Sequence, residues 1–286
     1  MDSLTHLLFT NDHRNVVIEI GCGCGLVGMT ACTVLQEEQH HIKNNNHITY
    51  IYTDAEEDCL ALVRASGAVN NERKHNTLLS ICDGTKKSDM CVSDHGLCQL
   101  TFPLCWGEEG VDTLRTFLNE KMNSHYSMPL ILGSDLIYYN VNLTVLLRTC
   151  QSLFSTGSGN SKYRFLLLAH YVRIPNGHEV LYQTAKDLNF KIVKINLHSF
   201  LDSARIQERG WGSAELVLLV YTTAGGKHAM QEDVPFVKQI LLEKRNTAAP
   251  SVQQQLDTLH QHVEPYLGTS DKNTEEEMLL LFNDLI

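Results

Sequence analysis

The feature that most constrains the fold is a glycine-rich turn, Glu19-Ile-Gly-Cys-Gly-Cys-Gly25, which directly follows an apolar run. That run, residues 15–20, is short and rich in β-branched side chains, which is typical of a buried strand. Residues 26–38 then place apolar side chains at helical spacing. Alternate glycines let the backbone turn tightly and approach a ligand closely. The segment therefore predicts a strand, a ligand-binding turn and a helix in succession.

The rest of the first 223 residues alternates between strand-like and helix-like patterns. Strand-like runs occur at residues 48–53, 78–82, 130–132, 165–169, 190–195 and 215–221, and a further short strand is expected within residues 97–106. Helical spacing fills most of the intervals between them. This alternation predicts an α/β fold with a doubly wound, mostly parallel sheet, in which ligands bind at the carboxyl ends of the strands.

The pattern changes after residue 223. Residues 234–244 and 252–267 are amphipathic at helical spacing. Three glutamates precede the last segment, residues 278–286, which is mostly apolar. No strand-like run occurs there. We therefore expect two parts, a catalytic or ligand-binding domain at residues 1–223 and a helical C-terminal extension at residues 224–286.

Charge and composition narrow the classes of partner and compartment. Lys and Arg number 23 against 33 Asp and Glu, giving a net charge of −10, which argues against a phosphate-driven grip on nucleic acid or on an anionic membrane. No apolar run approaches the roughly 18 residues needed to span a bilayer. Nine cysteines, an odd number with no C-x-x-C pair, favour reduced thiols in the cytoplasm or nucleus. Cys22 and Cys24 lack a second ligand pair at zinc spacing, so no metal site is expected.

Two classes of cofactor bind a turn of this kind. The stretch from Gly23 through Gly25 to Gly28 formally matches the dinucleotide fingerprint. That frame starts two residues after the strand end at Gly21. In addition, Asp54 lies well beyond the distance of about 20 residues at which a ribose-binding carboxylate follows in dinucleotide folds. A nicotinamide oxidoreductase is therefore disfavoured.

The second pattern is E-x-G-x-G-x-G followed by an acidic residue after the next strand, and it resembles motif I of class I S-adenosylmethionine (SAM)-dependent methyltransferases. The resemblance implies a Rossmann-like sheet of seven strands. It implies that Gly21, Gly23 and Gly25 pass under the methionine moiety and the ribose of SAM. Asp54 would accept hydrogen bonds from the ribose hydroxyls, and Glu19 would contact the methionine end indirectly. A plain tight turn, and a helix N-cap for Asp54, are the structural alternatives.

A second motif narrows the resemblance. Pro129-Leu-Ile-Leu-Gly-Ser-Asp-Leu-Ile-Tyr-Tyr139 ends a strand in Asp-x-x-Tyr, and it resembles the DxxY (family-16) protein methyltransferases. Members of that family mainly methylate lysines of chaperones, elongation factors and other proteins. The glycine turn with its Gly-Leu-Val-Gly ending, the Trp106-Gly107 step and Arg173 after the fifth strand agree with the family. The match covers roughly residues 16–223, although Cys105 stands where an acidic residue is common.

The family resemblance implies a set of site residues. Trp106 would pack near the adenine, and Ser134 would also lie in the cofactor site. Asp135 would orient the acceptor amine and stabilise its developing positive charge, while Tyr138 would line the acceptor pocket. Capping of the turn by Asp135, and core packing of Trp106 and Tyr138, remain open as structural alternatives; Tyr139 either assists or only packs.

We therefore expect a SAM-dependent methyltransferase that acts on a lysine side chain of a protein, of the chaperone or translation-factor class. A monomer in the cytoplasm or nucleus is expected, with neither nucleic acid nor membrane as a partner. Two other functions remain open. The acceptor could be a protein arginine, a protein histidine or a small molecule. Alternatively, the chain could be a non-catalytic binding module with a methyltransferase-like core and a partner-binding C-terminal extension.

Overall fold

The computed structural model describes residues 14–41, 47–74, 81–85, 96–122, 126–156, 163–199, 201 and 203–222. All of them belong to the first of the two units into which the chain divides, residues 1–240. The expected domain boundary at residue 223 and the expected helical extension lie outside the described residues.

Eight strands and six α-helices alternate in the described part of the chain. The strands are β1 (Arg14–Ile20), β2 (Ile48–Asp54), β3 (Ile81–Asp83), β4 (Leu97–Pro103), β5 (Tyr126–Ser134), β6 (Tyr163–Tyr171), β7 (Lys191–Ile195) and β8 (Ala214–Thr222). The helices are α1 (Leu26–His41), α2 (Glu57–Lys74), α3 (Glu108–Met122), α4 (Leu143–Phe154), α5 (Gly177–Asp187) and α6 (Ser203–Glu208). Short 3₁₀ turns at Leu197–Ser199 and Trp211–Ser213 complete the set.

All eight strands form one sheet in the order β3-β4-β2-β1-β5-β6-β8-β7. The pairs from β3 to β6 are parallel, and β8 pairs antiparallel with both β6 and β7. The prediction of a mostly parallel, doubly wound α/β fold of Rossmann-like type is thus confirmed. The expected count of seven strands is wrong by one, because both β3 and β4 pair into the sheet and β3 forms a three-residue edge.

The strand β5 is three times longer than the sequence pattern indicates, with nine residues in place of residues 130–132. The sequence pattern underestimates the length of β5 because Pro129 argues against a central strand: proline lacks the N–H that such a strand donates. The register against β1 steps from Asn15–Ser127 to Val17–Leu130, so β5 carries one extra residue there and Pro129 lies in the resulting bulge. The strand lies between β1 and β6, which places its carboxyl end at the centre of the sheet.

Both faces of the central strands are buried, as a parallel sheet requires. Val16, Ile18 and Ile20 of β1 join the core formed with α3, α4 and α5. Val17, between them on the opposite face, joins the core formed by β2 with residues of α1 and α2, including Cys32 and Leu60. Burial of both faces explains why most residues of β1 form a continuous apolar run in the sequence.

One glycine fixes how closely α1 approaches the sheet. A Cβ added at Gly28 would lie 2.2 Å from Cε1 of Tyr52, 2.3 Å from Oε2 of Glu19 and 2.8 Å from Cε1 of Tyr50. Real Cβ atoms do not make contacts this short, so any larger residue would push the helix away from β1 and β2. The Gly28 position is therefore set by close packing.

We expect Gly28→Ala to destabilise the protein by about 1–3 kcal/mol, the range typical of overpacking a tight core. Chemical denaturation followed by fluorescence measures the effect. Gly212→Ala is the matched control, because a Cβ there would meet nothing within 4 Å, and it should change stability by less than about 0.5 kcal/mol. Equal effects of the two substitutions would contradict the packing argument.

Candidate active site

The glycine turn joins β1 to α1 at the carboxyl end of β1. Gly21, Gly23 and Gly25 have φ angles of 64°, 52° and 77°, all in the left-handed region. Residues with a Cβ rarely adopt this conformation, and glycine does so without steric cost. All three glycines of the motif are therefore required by the path of the backbone.

The three glycines differ in what lies next to them. A Cβ at Gly21 would be 2.6 Å from Cδ2 of Leu136 and 3.6 Å from Cζ2 of Trp106, and one at Gly25 would be 2.6 Å from Cγ2 of Val63. A Cβ at Gly23 would meet nothing within 4 Å. The turn is thus packed against the protein at both ends and open at its middle, where its backbone is accessible to a ligand.

Asp54, the last residue of β2, binds this open part of the turn. Its Oδ2 accepts a hydrogen bond from the Gly23 N–H at 2.9 Å, and its Oδ1 accepts one from the Glu56 N–H at 3.1 Å. The Cys22 N–H also donates to the Thr53 carbonyl at 2.8 Å. A carboxylate has about four acceptor positions, so roughly two of them remain available for a ligand. Asp54 therefore holds the turn and the start of α2 while keeping capacity to bind a pair of hydroxyls.

Glu19 lies beneath the turn and is 1% exposed. Its Oε2 accepts a hydrogen bond from the Tyr50 hydroxyl at 3.2 Å, and its carboxylate also accepts one from the Gly28 backbone N–H. Burial raises the pKa of the Glu19 carboxyl to about 7, and these two hydrogen bonds only partly oppose the shift. Glu19 thus supports the turn from below, and its indirect role toward a cofactor stays a prediction.

Trp106 and Ser134 lie on either side of the turn. Trp106 is half-buried next to Gly21 and packs against the main core. The following Gly107 donates its N–H to Oγ1 of Thr149 at 2.9 Å, which ties this loop to α4. Ser134 is the half-buried last residue of β5, the strand adjacent to β1. The fold therefore places Trp106, which is predicted to pack near an adenine, beside the glycine turn. It places Ser134 at the end of the neighbouring strand.

Asp135 follows Ser134 in an unusual backbone conformation. Its φ is 54°, in the left-handed region, and its N–H donates to the Ala169 carbonyl at 2.7 Å. Its Oδ2 lies 2.8 Å from Nη2 of Arg173. Its Oδ1 is buried and has no hydrogen-bond partner among the residues that the structure describes. Left-handed aspartates are uncommon and cluster at functional sites, where surrounding structure holds them in place.

Several exposed apolar side chains lie at or soon after the carboxyl ends of the central strands. Tyr138 is 50% exposed and Tyr139 is 66% exposed, so core packing does not explain either residue. Tyr171, at the end of β6, and Leu26 and Val27, at the start of α1, are also exposed. Five of the exposed large apolar side chains in the described part of the chain therefore lie at or soon after the carboxyl ends of β1, β5 and β6.

Sequence reasoning missed several residues of this site. Leu136 packs on Gly21 and was not singled out. Gly28 was named in the glycine motif, but its support of Glu19 through the backbone N–H was not predicted. The fourth glycine of Gly21-x-Gly-x-Gly-x-x-Gly28 was a usable signal, whereas Leu136 offered none, because a leucine after a strand is ordinary. Tyr171 was also missed.

Other kinds of site have no support within the described ranges. No group of three His, Cys, Asp or Glu side chains there is arranged to hold a metal ion. The eight cysteines in the described part of the chain are free thiols. None of the helices seen in that part has both the length and the apolar character that crossing a membrane requires.

Neither a protein-family model nor a curated protein matches the chain. Solved structures with a similar fold include the DszA carbon methyltransferase, at 13% identity over 74% of this chain and 48% of that one, with a TM-score of 0.39. The chain thus spans about half of that protein. Precorrin-6y C5,15-methyltransferase from Geobacter metallireducens GS-15 matches at 9% identity, 73% and 82% coverage and a TM-score of 0.37. A third match is geranyl diphosphate C-methyltransferase from Streptomyces coelicolor A3(2), solved with Mg²⁺, geranyl diphosphate and S-adenosyl-L-homocysteine. Its sequence identity is 12%, the match covers 77% of this chain and 77% of that one, and the TM-score is 0.36.

The raised pKa of Glu19 makes stability depend on pH. The folded protein favours the protonated carboxyl, so stability falls as the pH rises from the ordinary value of 4.5 to about 7, and stays constant above that. Glu19→Gln replaces the carboxyl with a neutral group. We expect the difference in unfolding free energy between this variant and the wild type to increase by roughly 3 kcal/mol in favour of the variant from pH 5 to pH 8. Urea denaturation at both pH values measures the gain.

The control for this measurement is Glu120→Gln, at an exposed position of α3. It removes a carboxylate without touching the buried network beneath the turn, so its stability should follow that of the wild type at both pH values. A gain by Glu19→Gln that does not change with pH would contradict the argument.

Proposed function

We propose that this chain is a SAM-dependent methyltransferase whose acceptor is the side-chain amine of a protein lysine. The observation that carries the proposal is the glycine turn with its open centre at Gly23 and the carboxylate of Asp54 bound to it. A second carboxylate, Asp135, follows the adjacent strand β5. Cofactor-side and acceptor-side groups thus meet at one edge of the sheet, where doubly wound folds bind ligands.

The residues at the turn fit the chemistry of SAM. The cofactor has a vicinal ribose diol, and Asp54 has acceptor positions left for two hydroxyl donors, which form strong bonds to a charged acceptor. Gly23 leaves room for close approach to the backbone. Trp106 offers an aromatic side chain beside Gly21 against which an adenine can pack.

SAM, when bound, supplies a methyl group on a positively charged sulfur. The acceptor nitrogen needs its lone pair to form the new N–C bond as the C–S bond breaks, so a lysine that binds as an ammonium must first release a proton to water. The protein must mainly align the nitrogen with the methyl group, and alignment of reacting groups can contribute about 7–11 kcal/mol to lowering a barrier. Asp135 provides a carboxylate with one buried oxygen, Oδ1, that has no partner among the described residues, and a second oxygen, Oδ2, that pairs with Arg173. These oxygens would orient the amine through its N–H groups and stabilise the positive charge that develops on nitrogen.

The accessibility of Asp135 favours an acceptor on a protein surface. Its side chain is 40% exposed, and the exposed Tyr138 stands nearby in the chain, so a long side chain can reach both from outside. The net charge of −10 suits a basic partner. We further propose a chaperone or translation factor as substrate, on the basis of the family resemblance, and a cytoplasmic or nuclear location, on the basis of the cysteine content. Action as a monomer is also proposed.

The cofactor proposal is tested by calorimetry with SAM. We expect the wild-type chain to bind SAM, and Asp54→Asn to bind it about 10- to 100-fold more weakly, because hydrogen bonds to a charged partner are lost. Asp58→Asn, at an exposed position of α2, is the matched control and should bind like the wild type. Thermal unfolding without SAM shows whether each variant is folded. The absence of SAM binding by a folded wild-type chain would exclude the proposed function.

The acceptor proposal is tested by labelling lysate proteins with methyl-labelled SAM. Asp135→Asn keeps a residue that tolerates the left-handed conformation while removing the charge, so we expect it to fold and to lose labelling by roughly 100-fold or more. Asp187→Asn, at the exposed end of α5, should label like the wild type. Hydrolysis of the labelled band should yield methyl-lysine.

Other products of this labelling assay would identify the alternatives. Methyl-arginine or methyl-histidine would retain the methyltransferase and overturn the lysine assignment. A labelled small molecule with no labelled protein would overturn the protein acceptor. SAM binding without any labelled product would favour a non-catalytic binding module.

A further inference from the structure

We propose that Arg173 occupies the acceptor site and pairs there with Asp135, at the position where the substrate's cationic side chain binds. The ring of Tyr171 forms the second wall of this cation site. The inference rests on the proposed function, since it specifies how that site selects its acceptor. It assigns two residues, Tyr171 and Arg173, to substrate recognition.

The contacts of Arg173 are those that a lysine side chain would make. Nη2 of its guanidinium lies 2.8 Å from Oδ2 of Asp135, and its Cζ lies 6.0 Å from the centre of the Tyr171 ring. A carboxylate on one side and an aromatic ring on the other form a common arrangement for binding an organic cation. The chain thus already holds a cation at the carboxylate that the acceptor amine would use.

The groups that form the cation site are fixed by other contacts. The backbone N–H of Asp135 is bound to the Ala169 carbonyl at 2.7 Å. The Tyr171 hydroxyl donates to the Gly210 carbonyl at 3.1 Å, which anchors the far end of the ring. Tyr171 is the last residue of β6, so its backbone belongs to the sheet. The backbone of Asp135 and the ring of Tyr171 are therefore held in position independently of Arg173.

Arg173 itself is held weakly. Its side chain is 56% exposed, and it lies two residues beyond the end of β6. Exposed ion pairs contribute little to stability because water and salt screen them. A cationic side chain from a partner can therefore replace the guanidinium without unfolding any element of the sheet.

This arrangement makes the site selective for charge. A cationic acceptor regains the contacts to Asp135 and Tyr171 that are lost when Arg173 leaves, whereas a neutral acceptor leaves the carboxylate without its cation. The apparent affinity for a cation is reduced by the fraction of time that Arg173 occupies the site. Removing Arg173 should therefore tighten cation binding and leave SAM binding unaffected.

The test measures binding of n-butylammonium, a probe with the length and charge of a lysine side chain, to the full 286-residue chain at pH 7. Binding is followed by NMR of labelled tyrosine rings, with the Tyr138 signal as reporter, and no cofactor is added. Arg173→Met, which keeps a long side chain without charge, should bind the probe about two- to five-fold more tightly than the wild type. Arg173→Lys restores a resident cation and should bind like the wild type, as should Arg148→Met at an exposed position of α4.

A second comparison tests Tyr171 in the Arg173→Met background. Tyr171→Phe keeps the ring and should retain the tighter binding, whereas Tyr171→Leu should weaken it about two- to five-fold. Adding Asp135→Asn to Arg173→Met should weaken binding further than either change at Tyr171, because the charged partner is removed.

The outcomes that overturn the inference are specific. Unchanged or weaker probe binding by Arg173→Met would show that Arg173 does not occupy the site. No probe binding by either the wild type or Arg173→Met would show that there is no cation site. Because these titrations need no SAM, they distinguish failure of the inference from failure of the proposed function, which calorimetry with SAM and lysate labelling measure separately.

Discussion

The hydrogen bond from the Gly23 N–H to the carboxylate of Asp54 is the contact on which the site depends. It joins the turn after β1 to the end of β2, and these two strands pair in parallel from Asn15–Ile48 to Ile20–Thr53. The turn consists of left-handed glycines that lose much conformational entropy on folding, so it needs such a tie to hold one shape. The same bond places the carboxylate at the open centre of the turn, which leaves roughly two of its acceptor positions without a partner from the turn.

The parts of the site that the sequence predicts are those fixed by local chain geometry. A strand that ends in alternate glycines must turn there, and Asp54 must end the next strand, whatever the distant contacts are. Parallel pairing then brings the ends of β1, β2 and β5 to one edge. The fold class, the glycine turn and the placement of Asp54 and Asp135 at that edge could therefore be predicted. Trp106 was placed by resemblance, and the structure puts it next to Gly21.

The parts that the sequence could not predict depend on tertiary contacts. The length of β5 depends on its pairing with β1 both before and after the bulge at Pro129, and that pairing joins segments more than one hundred residues apart in the chain. The requirement for glycine at position 28 arises from Tyr50 and Tyr52, more than twenty residues away in the chain. The ion pair between Asp135 and Arg173 joins two loops that follow different strands, so no local sequence pattern predicts it.

The proposed cofactor and acceptor parts of the site differ in burial, and they should therefore differ in how well they tolerate substitution. The proposed cofactor part consists of backbone and buried groups: left-handed glycines, Glu19 at 1% exposure and Gly28 close to two tyrosine rings. Most substitutions there alter folding as well as binding, because buried groups have no room to adjust. The proposed acceptor part consists of exposed side chains, including Tyr138 and Arg173, on an anchored backbone. Exposed positions tolerate substitution at little cost in stability, so the choice of acceptor can change while the glycine turn stays the same.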